Sequence, residues 1–323
     1  MDSGARDIYV GIDFGGTKLF GALVGSDGRC LDETYVEHRG PAVLPAQAGS
    51  SPEEAALGTA YAALFQLAST LVEKARARGL TCAGVGIGAP GIVAPDGVVV
   101  VAGSLGWRNA PLGPLLQKRL DVPVRVENDL NLAALGEHAV GAGRGCNSMF
   151  LLAVGTGIGG ASIIDGRLWR GKHNAAGEIG GLLPGPEFLD WHDRDWGAFE
   201  AYASGTGLSR EAAKAAAAVG ETPAPEALKG ERLFAAAAEG VPWARKVVDR
   251  AVALWTVAIG AVQVVLDPDV IVLSGGVAGS AARYLPDIAA RLSAALPQAP
   301  AVVASTLGYR AGVLGTAALF GAG

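Results

Sequence analysis

The chain repeats one pattern at a long interval, and that repeat limits the folds open to it. Ile8–Asp13 reads as a strand, Phe14-Gly15-Gly16-Thr17-Lys18 as a glycine loop and Leu19–Val24 as a second strand. Ser26-Asp27-Gly28 then turns into a third strand, Arg29–Glu37. About 140 residues later the order recurs. Ser148–Val154 is an apolar strand, Gly155-Thr156-Gly157-Ile158-Gly159-Gly160 a loop, and Ala161–Ile164 a strand. Asp165-Gly166 leads into Arg167–Arg170. The interval is far too long for a solenoid repeat and fits two related halves.

Helical and strand patterns alternate between and after the copies. Ser51-Pro52-Glu53-Glu54 is a capping box with proline at the first helical position, opening a helix that runs to about Arg78. Gly84–Gly88 is a small-residue strand ending in Ala89-Pro90-Gly91. Val122–Val126 is a strand, and Asn128 or Asp129 caps a helix reaching Val140. Val270–Leu273 is a strand, Ser274-Gly275-Gly276 a loop, and Ala281–Leu296 a helix. The alternation predicts an α/β fold. Without a Pro/Ser-rich linker, the boundary between halves is expected at a crossover near Leu120–Leu130. Glu221–Pro225 reads as an uninformative surface loop.

Composition excludes several classes. Half of the 323 residues are hydrophobic and 18% are charged, so the chain is not disordered. Lys+Arg 26 against Asp+Glu 31 leaves a net charge of −5, with none of the basic excess of a nucleic-acid face. Cys30, Cys82 and Cys146 make neither a disulfide framework nor a metal knuckle. The N-terminus carries no apolar signal region. The longest uncharged run, 251–266, is shorter than the roughly 20 residues of a spanning helix and reads as a buried helix. A soluble cytoplasmic protein without a membrane or nucleic-acid partner is expected.

Glycine is abundant, at 48 residues, and gathers at motifs. Loops at Gly15–Lys18, Gly155–Gly160 and Ser274–Val277 each place backbone N–H groups where phosphate oxygens can be cradled. Three such loops in one chain point to phosphate or nucleotide binding. Gly155–Gly160 and Gly86–Gly91 both satisfy G-x-G-x-x-G, but a dinucleotide fingerprint needs a helix next, and β-type sequence follows both. Gly11–Lys18 runs GGTK and lacks the GK[ST] order of a Walker loop. Asp13-Phe14-Gly15 spells DFG, with no HRD loop to accompany it. Glu127-Asn128-Asp129 lies where a strand meets a helix, and a cap needs only one of those three polar groups. A carboxylate held there suits proton abstraction from a hydroxyl that attacks a γ-phosphate. Glu178 and Glu200, in Gly-rich or apolar surroundings, suit hydrogen bonds from sugar hydroxyls.

These motifs together resemble the ROK family of sugar kinases and sugar-responsive repressors, over nearly the whole chain. The resemblance is carried by GIDFGGTK (11–18), GAPG (88–91), LGWRNAPL (105–112) and ENDLNLAALGE (127–137). It continues through GTGIGG (155–160), AAGEIG (175–180), EAYASGTGL (200–208), VLSGGV (272–277) and AGVLGTAAL (311–319). It implies a bilobal actin/hexokinase-like fold, a duplicated ribonuclease H-like α/β architecture. The expected lobes are 1–125 with about 305–323, and 126–304, with the active-site cleft between them and closed by sugar at the crossover.

The resemblance also implies ATP and Mg²⁺ as cofactors, a sugar substrate and a homodimer. Asp129 corresponds to the catalytic base. Gly91, Asn128, Glu178 and Glu200 correspond to sugar contacts, and Ser104 stands where an Asn is common. Gly15, Gly16, Thr17, Lys18, Thr156 and Gly157 correspond to the phosphate loops and Gly275-Gly276 to the adenosine side. Asp13 would stand near the Mg²⁺ water shell. ATP-dependent phosphorylation of a hexose is expected, glucose at its 6-hydroxyl first, with another hexose, an N-acetylhexosamine or a cyclitol as alternatives. A repressor is disfavoured, since only ten residues precede Gly11.

Two departures from the family pattern stand out. Gly181 occupies the place of a histidine that touches sugar and a structural zinc. Residues 189–200 replace the cysteine cluster that completes the zinc site and contain no cysteine. No structural zinc is expected. Phe188, Trp191, Trp196 and Phe199 are the residues expected to hold the segment 182–199 by packing.

Overall fold

The computed structural model describes residues 7–15, 18–37, 51–192 and 197–321. They fall into two compact units, residues 1–144 with 171–175 and 309–323, and residues 145–170 with 176–308.

The first unit begins with the antiparallel meander β1 (Ile8–Phe14), β2 (Lys18–Gly25) and β3 (Cys30–Glu37). Helix α1 (Pro52–Ala77) follows. Its capping box forms as the sequence predicts: Glu54 N–H donates to Ser51 Oγ at 3.2 Å, and Ser51 N–H to Glu54 Oε2 at 2.8 Å. The helix is not one uninterrupted rod. Gly58 adopts φ 68°, a left-handed conformation open to glycine, and kinks it. Next come β4 (Cys82–Ala89), the short strands β5 (Ile92–Val93), β6 (Val99–Ala102) and β7 (Trp107–Ala110), and helix α2 (Leu112–Arg119). Strand β8 (Val124–Asn128) runs directly into α3 (Asp129–Val140). The main sheet has the order β3-β2-β1-β4-β8, with β1, β4 and β8 parallel.

The second unit has the same plan. Its meander is β9 (Met149–Val154), β10 (Ile158–Ile164) and β11 (Arg167–Trp169). Helices α4 (Ala198–Ala203), α5 (Gly205–Ala217), α6 (Gly230–Ala238) and α7 (Pro242–Leu266) precede β12 (Val270–Ser274). The expected helix over 281–296 is divided into α8 (Ala278–Ala281), a 3₁₀ turn and α9 (Leu285–Ala295). Pro286 has no amide hydrogen to continue a helix from the preceding turn, so it sits in the first turn of a new one. Strand β13 (Val302–Ala304) completes a sheet ordered β11-β10-β9-β12-β13, again with three parallel strands. The chain then returns to the first unit with α10 (Ala311–Leu314) and α11 (Thr316–Gly321).

One sequence expectation needs correction. Strand β8 is hydrogen-bonded into the first sheet, so residues 126–144 belong with that unit and 120–130 is not the joint. The chain passes between units after residues 144, 170, 175 and 308. Helices α1 and α7 are also long and apolar enough to cross a membrane by length and composition. Half or slightly more of each apolar window is nonetheless buried. In α7 the buried face includes Trp255, whose indole N–H donates to the Ala203 carbonyl at 3.1 Å.

Glycines determine how the first sheet is covered. In β4, Gly84, Gly86 and Gly88 alternate and so share one face with Gly11 of β1. A methyl at Gly84 would reach Phe320, and one at Gly86 or Gly11 would reach Thr316. At these four positions the face is bare backbone, and α11 lies directly on it. At the α3–α10 crossing a methyl on Gly136 would come within 2.1 Å of the Ala311 carbonyl oxygen. Backbone cannot retreat as a flexible side chain can. Gly136→Ala is therefore expected to destabilise the protein by about 3 kcal/mol in urea unfolding. Gly181→Ala, with nothing among the described residues within 4 Å of the added carbon, is expected to stay within about 0.5 kcal/mol of wild type.

Candidate active site

Parallel pairing brings the first group of candidate residues together. Asp13 pairs with Gly88, and Gly88 with Glu127, so one register row crosses the carboxyl ends of β1, β4 and β8. Ligand sites of α/β sheets lie at such ends. Asn128 caps α3, its Oδ1 accepting from the N–H groups of Leu130 and Asn131, each at 3.0 Å. Its Nδ2 donates to the Gly91 carbonyl at 2.8 Å, joining the helix start to the 88–91 turn. Gly91 has φ 85°, and a methyl there would lie 2.0 Å from the Val101 carbonyl oxygen. Asp129 is the first residue of α3, and its Oδ1 accepts from Leu130 N–H at 2.8 Å. Gly88 keeps the floor beneath it empty: a methyl would sit 3.2 Å from Asp129 Cα.

The sequence reading left two partners unassigned. Glu127 is buried, and its Oε1 accepts from Asn128 N–H at 3.0 Å and from the side chain of buried Asn131 at 2.9 Å. This pair braces the strand-to-helix turn from below. Asn131 lies two residues beyond the polar triplet and four beyond Glu127, a spacing that was available in the sequence.

The other first-unit candidates lie around this row. Ser104 is exposed on a 3₁₀ turn two residues past Ala102, whose Cα would be 3.0 Å from a methyl on Gly91. Gly15 N–H donates to the Lys18 carbonyl at 2.9 Å, closing the first glycine loop, and Lys18 is exposed. Gly16 and Thr17 lie outside the described residues.

The second unit brings together three glycine segments. Loop 155–157 follows β9, and Gly275-Gly276 follows its parallel neighbour β12. Gly275 has φ 96°, and a methyl there would meet Val154 backbone. Val277 N–H donates to the Val154 carbonyl at 2.9 Å. The third segment is the start of α5, which the sequence reading did not assign to the site. Gly205 N–H donates to the Gly155 carbonyl at 2.8 Å, and Thr206 Oγ1 to the Thr156 carbonyl at 2.9 Å.

Glu200 sits beside the same loop, its Oε2 accepting from Ile158 N–H at 2.6 Å. Gly180 stands close on another side, where a methyl would be 3.3 Å from Glu200 Cβ. Glu178 precedes the 3₁₀ turn Ile179–Gly181. Its residue surface remains exposed, yet desolvation, with the Glu200 charge adding to it, raises its carboxyl above the usual range.

The segment leading to Glu200 is held by aromatic packing. Phe188 and Phe199 are buried and Trp191 is partly buried, as expected, while Trp196 lies outside the described residues. Tyr202 joins them, with ring centroids 5.5 Å from Phe188 and 6.0 Å from Trp191. The Arg250 guanidinium lies 4.2 Å from the Tyr202 ring centroid. Among the described residues no group of three or more His, Cys, Asp or Glu is placed to hold a metal ion. Glu221, in the loop read as uninformative, accepts from the Trp243 indole N–H at 2.7 Å and ties that loop to α7.

Asp13 is the most perturbed carboxyl of the first group. Burial raises its pKa from 3.8 to about 6. Its ionised form is disfavoured in the folded state, so this residue subtracts stability as pH rises from about 4 through about 6. In the ligand-free protein, Asp13→Asn is expected to raise Tm by at least about 3 °C near pH 8. The advantage should disappear near pH 4, where both states bind the proton. A thermal-unfolding series over pH reads this directly.

Comparison with known proteins assigns the chain. Residues 9–322 match the sequence profile of the ROK family. The glucokinase of Halalkalibacterium halodurans is 31% identical over 322 residues, which cover 95% of this chain and 93% of that one. The glucokinase of Streptomyces coelicolor is 32% identical over 331 residues, covering 97% of each. A ROK family glucokinase from Streptomyces griseus, solved in complex with glucose and AMPPNP, superposes with a TM-score of 0.74 at 30% identity. That match covers 97% of this chain and 98% of the other. The duplicated five-stranded sheet is the actin/hexokinase-like α/β fold of these enzymes. With its motifs in family order and its whole length matched, this chain belongs to the ROK family.

Proposed function

We propose that this sugar kinase transfers the γ-phosphoryl group of ATP to a hexose hydroxyl, with glucose at O6 as the acceptor. The observation that carries the reading is the placement of Asp129. It is the first residue of a helix whose cap, Asn128, is locked to both α3 and the Gly91 carbonyl. Asp129 takes the proton of the attacking hydroxyl as that oxygen bonds to phosphorus and ADP leaves. Gly91, Ser104, Asn128, Glu178 and Glu200 hold the sugar. The loop of Gly15, Gly16, Thr17 and Lys18 and the loop of Thr156 and Gly157 hold phosphate oxygens, and Gly275-Gly276 border the adenosine. Asp13 is half-buried and desolvation raises its carboxyl, so it fits a nearby cation and would hold Mg²⁺ through water. An ion held by Asp13 would supply charge neutralisation for the phosphate oxygens. The glucokinase relatives and the Streptomyces griseus complex support glucose and ATP as substrates.

Gly181 favours a second reading for the acceptor. Among the described residues nothing lies within 4 Å of a Cβ added there, where the family pattern has histidine. A buried hydroxyl left without its partner costs roughly 1–3 kcal/mol, so an acceptor differing at that position gains on glucose. Another hexose, an N-acetylhexosamine or a cyclitol then replaces it. Values of kcat/KM over a panel of these acceptors decide between the readings.

Asp129→Asn is expected to lower kcat by about 10²–10⁴-fold with sugar binding retained. Activity within a few-fold of wild type would remove Asp129 from the mechanism. The reading also takes the enzyme to be a cytoplasmic homodimer without structural zinc, the Tyr202 aromatic cluster holding the 182–199 segment. Elemental analysis is expected to find no stoichiometric zinc, and about one zinc per chain would overturn that part.

A further inference from the structure

Loop 155–158 is gripped at both ends by one short corner of the chain. At its start, Gly205 N–H and Thr206 Oγ1 donate to the carbonyls of Gly155 and Thr156. At its end, Ile158 N–H donates to Glu200 Oε2 at 2.6 Å. Glu200 and Thr206 lie six positions apart, across the junction of α4 and α5. That junction is stiff. Ser204 is fully buried and caps α5 through Gly207 N–H at 3.1 Å. Trp255 and Arg210 donate to the carbonyls of Ala203 and Ala201. The loop therefore cannot shift without straining the corner, and the Glu200 carboxylate cannot swing without releasing Ile158 N–H.

Steric contact reinforces the hydrogen bond. Gly157 has no side chain, and a methyl there would lie 2.5 Å from Glu200 Oε2 and 3.2 Å from its Cδ. Oε1 is 3.8 Å from the same point. One carboxylate oxygen is thus spent on the loop, while the other faces away from the bond to Ile158.

We propose that Glu200 is a positioning residue for the nucleotide loop as well as a sugar contact, so that its two oxygens couple donor and acceptor binding. The inference rests on the assignment of Glu200 to sugar and of 155–157 to nucleotide made above. A hydroxyl bonded to Oε1 orders the carboxylate, and Oε2 then holds the Gly157–Ile158 peptide in the orientation that presents the loop amides. Phosphate on the loop orders the carboxylate in return. Such coupling is reciprocal by thermodynamic necessity. Charge-assisted hydrogen bonds of this length are among the stronger ones, which gives the link its stiffness.

The test crosses the two sites. In nucleotide-free protein, Gly157→Ala is expected to weaken the binding of glucose, or of the best acceptor in the panel, by at least about 5-fold in calorimetry. In sugar-free protein, Glu200→Asp keeps the charge but withdraws the oxygen from Ile158, and is expected to weaken AMPPNP by a similar factor. The double variant should be less impaired than the product of the two, because the shorter acid makes room for the methyl. Each variant is checked for wild-type Tm, and if Gly157→Ala does not fold, Glu200→Asp decides alone. If each variant weakens only the ligand of its own site, coupling through Glu200 is overturned while the kinase reading stands. A wild-type protein that binds no acceptor and no AMPPNP overturns both.

Discussion

Bare backbone on one face of the first sheet is the constraint on which the arrangement depends. Gly11, Gly84, Gly86 and Gly88 present no side chain there, so α11 and α3 rest on the strands at backbone distance. A Cβ at any of these positions would lift a helix away. Gly88 bears on the start of α3, because Asp129 Cα lies directly over it. The turn that starts α3 is then fixed from three sides, by Glu127 below, by Asn128 as cap, and by the Gly91 turn beside it. Each of those bonds satisfies a backbone or amide group that would otherwise be orphaned at a helix start.

The second unit uses the same strand order for a different purpose. Where the first sheet leads through β8 into a carboxylate-bearing helix, the second ends in the glycine segments 155–157 and 275–276. Gly275 takes a conformation closed to most residues and brings its segment against Val154, next to loop 155–157. The start of α5 spends its first donors on that loop. The aromatic cluster around Tyr202 keeps α4 in place, so Glu200 reaches the loop from a packed support. Dispersion and a cation–π contact thereby secure a segment whose sequence has no cysteine.

Much of this was legible in the chain itself. The capping box at Ser51 and the cap at Asn128 follow from local signals that act within four residues, and both meanders form in the order read, although β10 starts at Ile158 and takes in three residues read as loop. The kink at Gly58 and the break before Pro286 are also local, but each needs a backbone angle or a missing amide to be weighed against a continuous helical pattern. The unit boundary was misplaced because a crossover and a strand ending look alike in sequence. Only the pairing of β8 with β4 assigns residues 126–144 to the first sheet.

The sequence by itself determined the duplication, the α/β class, the loops and the identities of Asp13, Asn128, Asp129, Glu178 and Glu200 as candidates. Apart from Asp13, which only the family resemblance singles out, these rest on period, turn chemistry and residue type, which a linear chain displays. Tertiary structure decided the register row that aligns Asp13 with Gly88 and Glu127. It also decided the bond from Ile158 to Glu200, the bonds from α5 to the loop, and the part played by Tyr202. Those partners are separated by tens of residues along the chain, and which polar group meets which is fixed only when sheet register and helix packing bring them within hydrogen-bond reach.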